Sequence, residues 1–206
     1  MTKPNYQKAE FLLSVAELHQ LPPDEGIEVA IVGRSNAGKS SILNQLTKNK
    51  GLARVSKTPG RTQHINLFGL DDARRIADLP GYGYAKVPPE VQNKWQETLA
   101  DYLQSRECLR GLVLVMDIRH PLKDFDQHML TWCDEGDLAV HILLNKADKL
   151  SKNAVQQTLF TVKKAIAQYK NPVTLQSFSA LRGTGAKELR DVLDGWFSLS
   201  ALKDLS

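Results

Sequence analysis

Residues 33–40 read Gly-Arg-Ser-Asn-Ala-Gly-Lys-Ser, the pattern G-x-x-x-x-G-K-[ST]. A loop of this kind wraps backbone N–H groups around a phosphate, and its glycines let the chain come close. Gly33, Arg34, Ser35, Asn36, Ala37 and Gly38 would form the cradle. Lys39 would reach the β- and γ-phosphates, and the Ser40 hydroxyl would hold Mg²⁺. Asp78-Leu79-Pro80-Gly81 is a second string, D-x-x-G. There Asp78 would order Mg²⁺ through water and the Gly81 N–H would touch a γ-phosphate. Asn145-Lys146-Ala147-Asp148 is a third, N-K-x-D. The Asp148 carboxylate can accept from both N1–H and the 2-amino group of guanine. Adenine offers no such donor pair, and a site built for paired bonds rejects a base that leaves its groups unpaired. Asn145 would tie this loop to the phosphate loop, and the Lys146 stem would cover a base face. Phe178, Ser179 and Ala180 join the nucleotide-binding set, with the Ala180 N–H meeting O6.

These strings work only if regular elements hold them. Residues 27–32 (Ile-Glu-Val-Ala-Ile-Val) predict a strand before the first string, and the apolar spacing after it predicts a helix over 39–48. A loop over 49–62 follows. Residues 64–68 and 75–78 predict a hairpin, and 79–88 a second loop. The Pro-Pro-Glu at 88–90 suits a helix start, after which Val91, Trp95, Leu99 and Leu103 share a face. Residues 112–116 and 139–144 are continuous apolar runs, the mark of central parallel strands. Helices are expected over 124–134, 153–169 and 185–198, and a strand over 173–178. The alternation predicts an α/β, three-layer phosphate-loop domain: a mixed, mostly parallel sheet with one antiparallel edge strand and helices on both faces. The expected division is a short N-terminal extension over 1–21, the domain over 22–200 and a tail over 201–206.

The 206 residues carry a net charge of +4, which allows anionic partners without demanding them. The excess is uneven. No Asp or Glu occurs from Val29 to Leu70, whereas Arg34, Lys39, Lys48, Lys50, Arg54, Lys57 and Arg61 do. Those outside the phosphate loop could meet nucleotide or RNA phosphates. Cys108 and Cys133 lack metal or redox spacing, which points to reduced thiols. No apolar run has transmembrane length and the N-terminus lacks a signal-peptide layout, so a cytoplasmic protein without membrane or DNA partners is expected.

In order and spacing these strings resemble the translation-factor-related GTPases. They resemble in particular the EngB family (also called YihA or YsxC), bacterial ribosome-biogenesis GTP-binding proteins of the TrmE-Era-EngA-EngB-septin-like superfamily. Beyond residues 33–41, the resemblance lies in Ser56-Lys57-Thr58-Pro59-Gly60-Arg61-Thr62-Gln63, in Asp78-Leu79-Pro80-Gly81-Tyr82-Gly83-Tyr84-Ala85 and in Met116-Asp117-Ile118-Arg119-His120-Pro121-Leu122-Lys123-Asp124. It covers roughly 5–198. It implies that Thr62 is a switch threonine, its hydroxyl on Mg²⁺ and its N–H on the γ-phosphate. It implies further that Gly60, Arg61, Thr62, Gln63 and His64 line the nucleotide. Lys39, Thr62 and Gly81 would then be the catalytic set, and Ser40, Thr62 and Asp78 (through water) the metal set. The family is implicated in late assembly of the large ribosomal subunit and in normal septation and cell division. A monomer that binds GTP and GDP with Mg²⁺ and contacts the large subunit through rRNA and ribosomal proteins is the expectation.

Two positions depart from the common scheme. Many GTPases place a Gln directly after D-x-x-G to orient the attacking water. Here Tyr82 stands there, and a phenol lacks a carboxamide's paired donor and acceptor. Slow intrinsic hydrolysis follows as an expectation. Asn36 could hold K⁺ beside the phosphates, or it could cap the loop by bonding to backbone. Arg61 could serve as an internal finger, although contact with RNA phosphate or solvent suits it better. Asp117 and His120 read as loop-shaping, and His64 and His128 lack companion ligands for a metal. Two rival functions stay open: a phosphate-loop kinase or ATPase acting on a small molecule, and a division-machinery binding module with incidental ribosome contact.

Overall fold

The computed structural model describes residues 3–53, 64–83 and 89–199. Its centre is built from strands buried on both faces. β2 (Ile27–Gly33) and β6 (Val140–Asn145) are buried along their whole length, and β5 (Leu109–Asp117) at all but two positions. Outside them lie β1 (Glu10–Val15), β3 (Ile65–Gly69), β4 (Arg74–Asp78) and β7 (Val173–Ser177), in the order β1-β3-β4-β2-β5-β6-β7. β3 runs antiparallel to both its neighbours, and the other pairs are parallel. From β2 the chain first builds β3 and β4 on one side, then crosses to β5 on the other. The carboxyl ends of β2 and β5 therefore form a topological switch point, where open α/β sheets bind ligands.

Two strands differ from the sequence expectation. β5 starts at Leu109, three residues before the apolar run, because Gly111 makes room for a neighbour. A Cβ there would stand 2.5 Å from the Trp196 indole. Residues 10–15, assigned from sequence to the N-terminal extension, form β1 and take the sheet edge outside β3. Its apolar run is only three residues, Phe11 to Leu13, and is largely exposed, so β1 lacks the long buried run that marks the central strands.

α1 (Lys39–Thr47) and α5 (Ala186–Ser198) pack on one face of the sheet. α2 (Pro89–Ser105), α3 (Asp124–Glu135) and α4 (Lys152–Ile166) pack on the other. On α5, Leu189, Leu193 and Phe197 repeat every fourth residue and are fully buried. Each contributes about 1.5–3 kcal/mol of burial. At the end of β2 remote from the phosphate loop, the buried Glu28 carboxylate accepts from the Tyr102 hydroxyl, Arg75 and Arg106. Those arginines also donate to the Pro22, Pro23 and Glu25 carbonyls, which fixes the chain's entry into β2.

Candidate nucleotide site

The phosphate loop leaves β2 at Gly33 and enters α1 at Lys39. Its bends need left-handed backbone, φ 65° at Asn36 and 102° at Gly38. Gly38 is doubly constrained, since a Cβ there would stand 2.4 Å from the Asn145 Nδ2. Within the loop, Ala37 N–H donates to the Arg34 carbonyl at 3.0 Å, and Ser35 N–H to the Tyr82 carbonyl at 2.8 Å. The Lys39 ammonium lies 3.4 Å from the Gly33 carbonyl. Packing around Lys39 pulls its pKa down, against the attraction of Asp78. Ser40 follows in the first turn of α1, at the positive end of the helix.

Asp78 ends β4 and is buried beside this loop. Its Oδ1 has no hydrogen-bond partner among the described residues. Burial pushes the carboxyl up to about 6, while Lys39 draws it back. An unsatisfied buried carboxylate oxygen facing a lysine and a helix N-terminus fits a hydrated Mg²⁺, a hard cation bound through oxygen and water. Leu79 N–H continues the sheet by donating to Ile31 O at 2.9 Å. The Leu79 and Pro80 side chains are buried. Gly81 is crowded: a Cβ there would come within 2.9 Å of Lys39 Nζ and 3.2 Å of Ser35.

β6 delivers the third string. Asn145 is buried and bridges two loops: its Nδ2 donates to the Ala37 carbonyl at 2.8 Å, and its Oδ1 accepts from Ala180 N–H at 3.2 Å. The Ala180 N–H, expected at a base oxygen, is thus already engaged by this neighbour. Lys146 (φ 66°) donates to the Asn36 carbonyl at 2.8 Å and to Asp117 Oδ2 at 2.9 Å. Ala147 N–H donates to the Phe178 carbonyl at 3.0 Å, while the Phe178 ring is fully buried in the core. Ser179 Oγ donates to Asp148 Oδ1 at 2.6 Å and holds that carboxyl below the usual range. The structure therefore brings residues 33–40, 78–81, 145–148 and 178–180 together at the switch point. His64 is exposed just before β3. Gly60, Arg61, Thr62 and Gln63 lie outside the described residues, as do Tyr84 and Ala85.

The Tyr82 backbone bridges to the phosphate loop, but its side chain packs against α2 and α3. Its ring is buried 4.5 Å from Phe125 and 6.4 Å from Trp95, and its hydroxyl donates to Asp126. Asp126 also accepts from Lys123 N–H at 2.9 Å, closing the first turn of α3. The carboxamide of Asn36 makes no hydrogen bond to another described residue. Sequence reasoning missed both Asp126 and the engagement of Asp117 with Lys146. The one available signal was the string Met116 through Asp124, which contains Asp117 and stops two residues before Asp126.

A family model described as 50S ribosome-binding GTPase matches residues 28–146. The chain is 57% identical over 195 residues to the probable GTP-binding protein EngB of Coxiella burnetii, covering 95% of each chain. It is 54% identical over 198 residues to the EngB of Escherichia coli O9:H4, covering 96% of this chain and 94% of that one. The crystal structure of a probable GTP-binding protein EngB superposes with a TM-score of 0.68 at 23% identity, over 82% of this chain and 98% of that one. Era, solved with MgGDPNP and nucleotides 1506–1542 of 16S ribosomal RNA, gives 0.64 at 21% identity, over 84% and 57%. At those identities the structures share the fold. Among the described residues, no helix is long and apolar enough to cross a membrane.

Proposed function

Since this chain belongs to the EngB family of GTP-binding proteins, we propose that it is a cytoplasmic, monomeric switch acting in large-subunit assembly and normal septation, with slow Mg²⁺-dependent GTP hydrolysis. What supports the guanine site most directly is the docking of 145–148 on the phosphate loop, through Asn145 Nδ2 to Ala37. In this reading the loop N–H groups and Lys39 hold the phosphates, Asp148 reads the guanine edge, and the Gly81 N–H senses a γ-phosphate. Ser40, Thr62 and, through water, Asp78 hold Mg²⁺, which when bound offsets charge on the β- and γ-phosphate oxygens. Tyr82, its hydroxyl engaged by Asp126, leaves the water-orienting role unfilled. The Asn36 carboxamide, without a hydrogen bond to another described residue, is a candidate K⁺ ligand.

The family's description as ribosome-binding supports a large-subunit partner, and Lys48 and Lys50 are exposed beside α1. Two measurements test the proposal. In competition against fluorescent GDP, ADP should be weaker by roughly 10⁴-fold, because Asp148 finds no donor pair on adenine. In co-sedimentation with large subunits across a salt series, the GTP-analogue form should bind, while the GDP and nucleotide-free forms should not. Equal competition by ADP contradicts the guanine site, and nucleotide-blind, salt-labile sedimentation contradicts the switch.

A further inference from the structure

We infer that Asp117, backed by Arg119, is a positioning residue for nucleotide binding: it fixes the Lys146 ammonium against the phosphate loop before nucleotide arrives. The inference rests on residues 145–148 being the guanine loop. Asp117 ends β5 directly opposite Asn145 in the β5–β6 register. The next residue, Lys146, reaches two acceptors on two different elements. One is the Asn36 carbonyl of the phosphate loop at 2.8 Å; the other is Asp117 Oδ2 at 2.9 Å. The same carboxylate accepts from Arg119 three times: Nη2 at 2.6 Å to Oδ2, Nε at 2.9 Å and backbone N–H at 3.1 Å to Oδ1. Two cations thus face one carboxylate and hold it well below the usual carboxylate range. It stays ionised and keeps one orientation.

The consequence lies in Lys146. Its long side chain has several rotatable bonds, and whatever freedom it retains must be surrendered when a base packs on its stem. With only the Asn36 carbonyl, a three-donor ammonium would be loosely held. Asp117 removes that freedom in advance and also clamps the guanine loop to the phosphate loop at a second point, beside the Asn145–Ala37 bond. Asp117 belongs to neither of the strings assigned to the γ-phosphate and the base edge, 78–81 and 145–148. Its loss should therefore weaken GDP and GTP equally and leave the preference for guanine unchanged. A residue that merely shapes the turn after β5 would not produce that pattern.

The test is release of fluorescent GDP and GTP, followed by stopped flow, from wild type, Asp117→Asn, Lys146→Met and the double variant. Asp117→Asn should release both nucleotides roughly tenfold faster, a coupling typical of residues in direct contact. The double variant should be no faster than Lys146→Met alone. Unchanged release from Asp117→Asn, or effects that multiply in the double variant, would overturn the inference. Arg119→Ala alters a half-exposed side chain and gives a second, mild readout should Asp117→Asn fold poorly. It should also speed release, and an unchanged rate overturns the inference. Asp148→Asn is a separate control. It should shift preference from guanine toward xanthine nucleotides; if it does not, the guanine-loop assignment fails, whatever Asp117 does.

Discussion

Asp78 answers to two opposed demands. Burial favours its neutral form and pushes the pKa up to about 6, while a role in ordering Mg²⁺ requires the carboxylate. Below about pH 6 a proton competes with the ion, so Mg²⁺-dependent GTP binding should weaken by about tenfold per pH unit. The sign is opposite for the ligand-free protein. A raised carboxyl pKa contributes stability that is complete below the unfolded value and is lost as pH rises through about 6. Asp78→Asn should flatten both dependences, in calorimetric Mg²⁺ titrations and in melting curves. A wild-type affinity that is level from pH 5 to 7 would remove Asp78 from the metal set. The strings that the fold brings to the switch point were legible because each is contiguous and its residue types carry the chemistry; residues 60–63 lie outside the described ones. What escaped are partners brought together only by the fold: Tyr82 with Asp126, 44 positions apart, and Asp117 with Lys146, 29 apart.

At the scale of elements, β6 and β7 are joined by a polar cross-strand contact as well as by their ladder. Buried His141 on β6 meets Thr174 Oγ1 at 2.8 Å and Gln176 Oε1 at 3.0 Å on β7. Gln176 Nε2 in turn donates to the Gly185 carbonyl at 2.8 Å, at the start of α5. Burial lowers the His141 pKa to about 4, with the Gln176 bond opposing. A depressed histidine contributes stability present above the unfolded pKa and lost as pH falls from about 6.5 through 4. The loss should amount to about 3 kcal/mol in full. His141→Gln should therefore resist acid better than wild type over that range in urea titrations. Identical acid profiles would show that His141 is not the group responsible. The apolar runs at 112–116 and 139–144 made the central strands legible. β1 was not, because an edge strand with a largely exposed face needs only a neighbour to pair with, and β3 lies more than fifty residues downstream.

Across the whole molecule, the N-terminal residues close the fold. β1 covers the β3 edge, the Tyr6 hydroxyl donates to Asp194 of α5 at 2.8 Å, and Lys3 pairs with the same carboxylate at 3.0 Å. Removing residues 1–16 should lower the urea midpoint and promote association through the uncovered edge. Tyr6→Phe should cost about 1–2 kcal/mol without association. A truncated chain with an unchanged midpoint would show that the sheet does not depend on its first strand. The two faces of that sheet also divide the tryptophans. Trp95 and Trp132 lie in one aromatic cluster with Tyr82 and Phe125, while Trp196 packs over Gly111 on the opposite face. Light emitted by this chain therefore comes from two separate places. One adjoins the residue that follows Gly81, and the other lies behind the sheet and serves as an internal reference. With Trp196→Phe, the emission of the unlabelled protein reports on the aromatic cluster around Tyr82 alone.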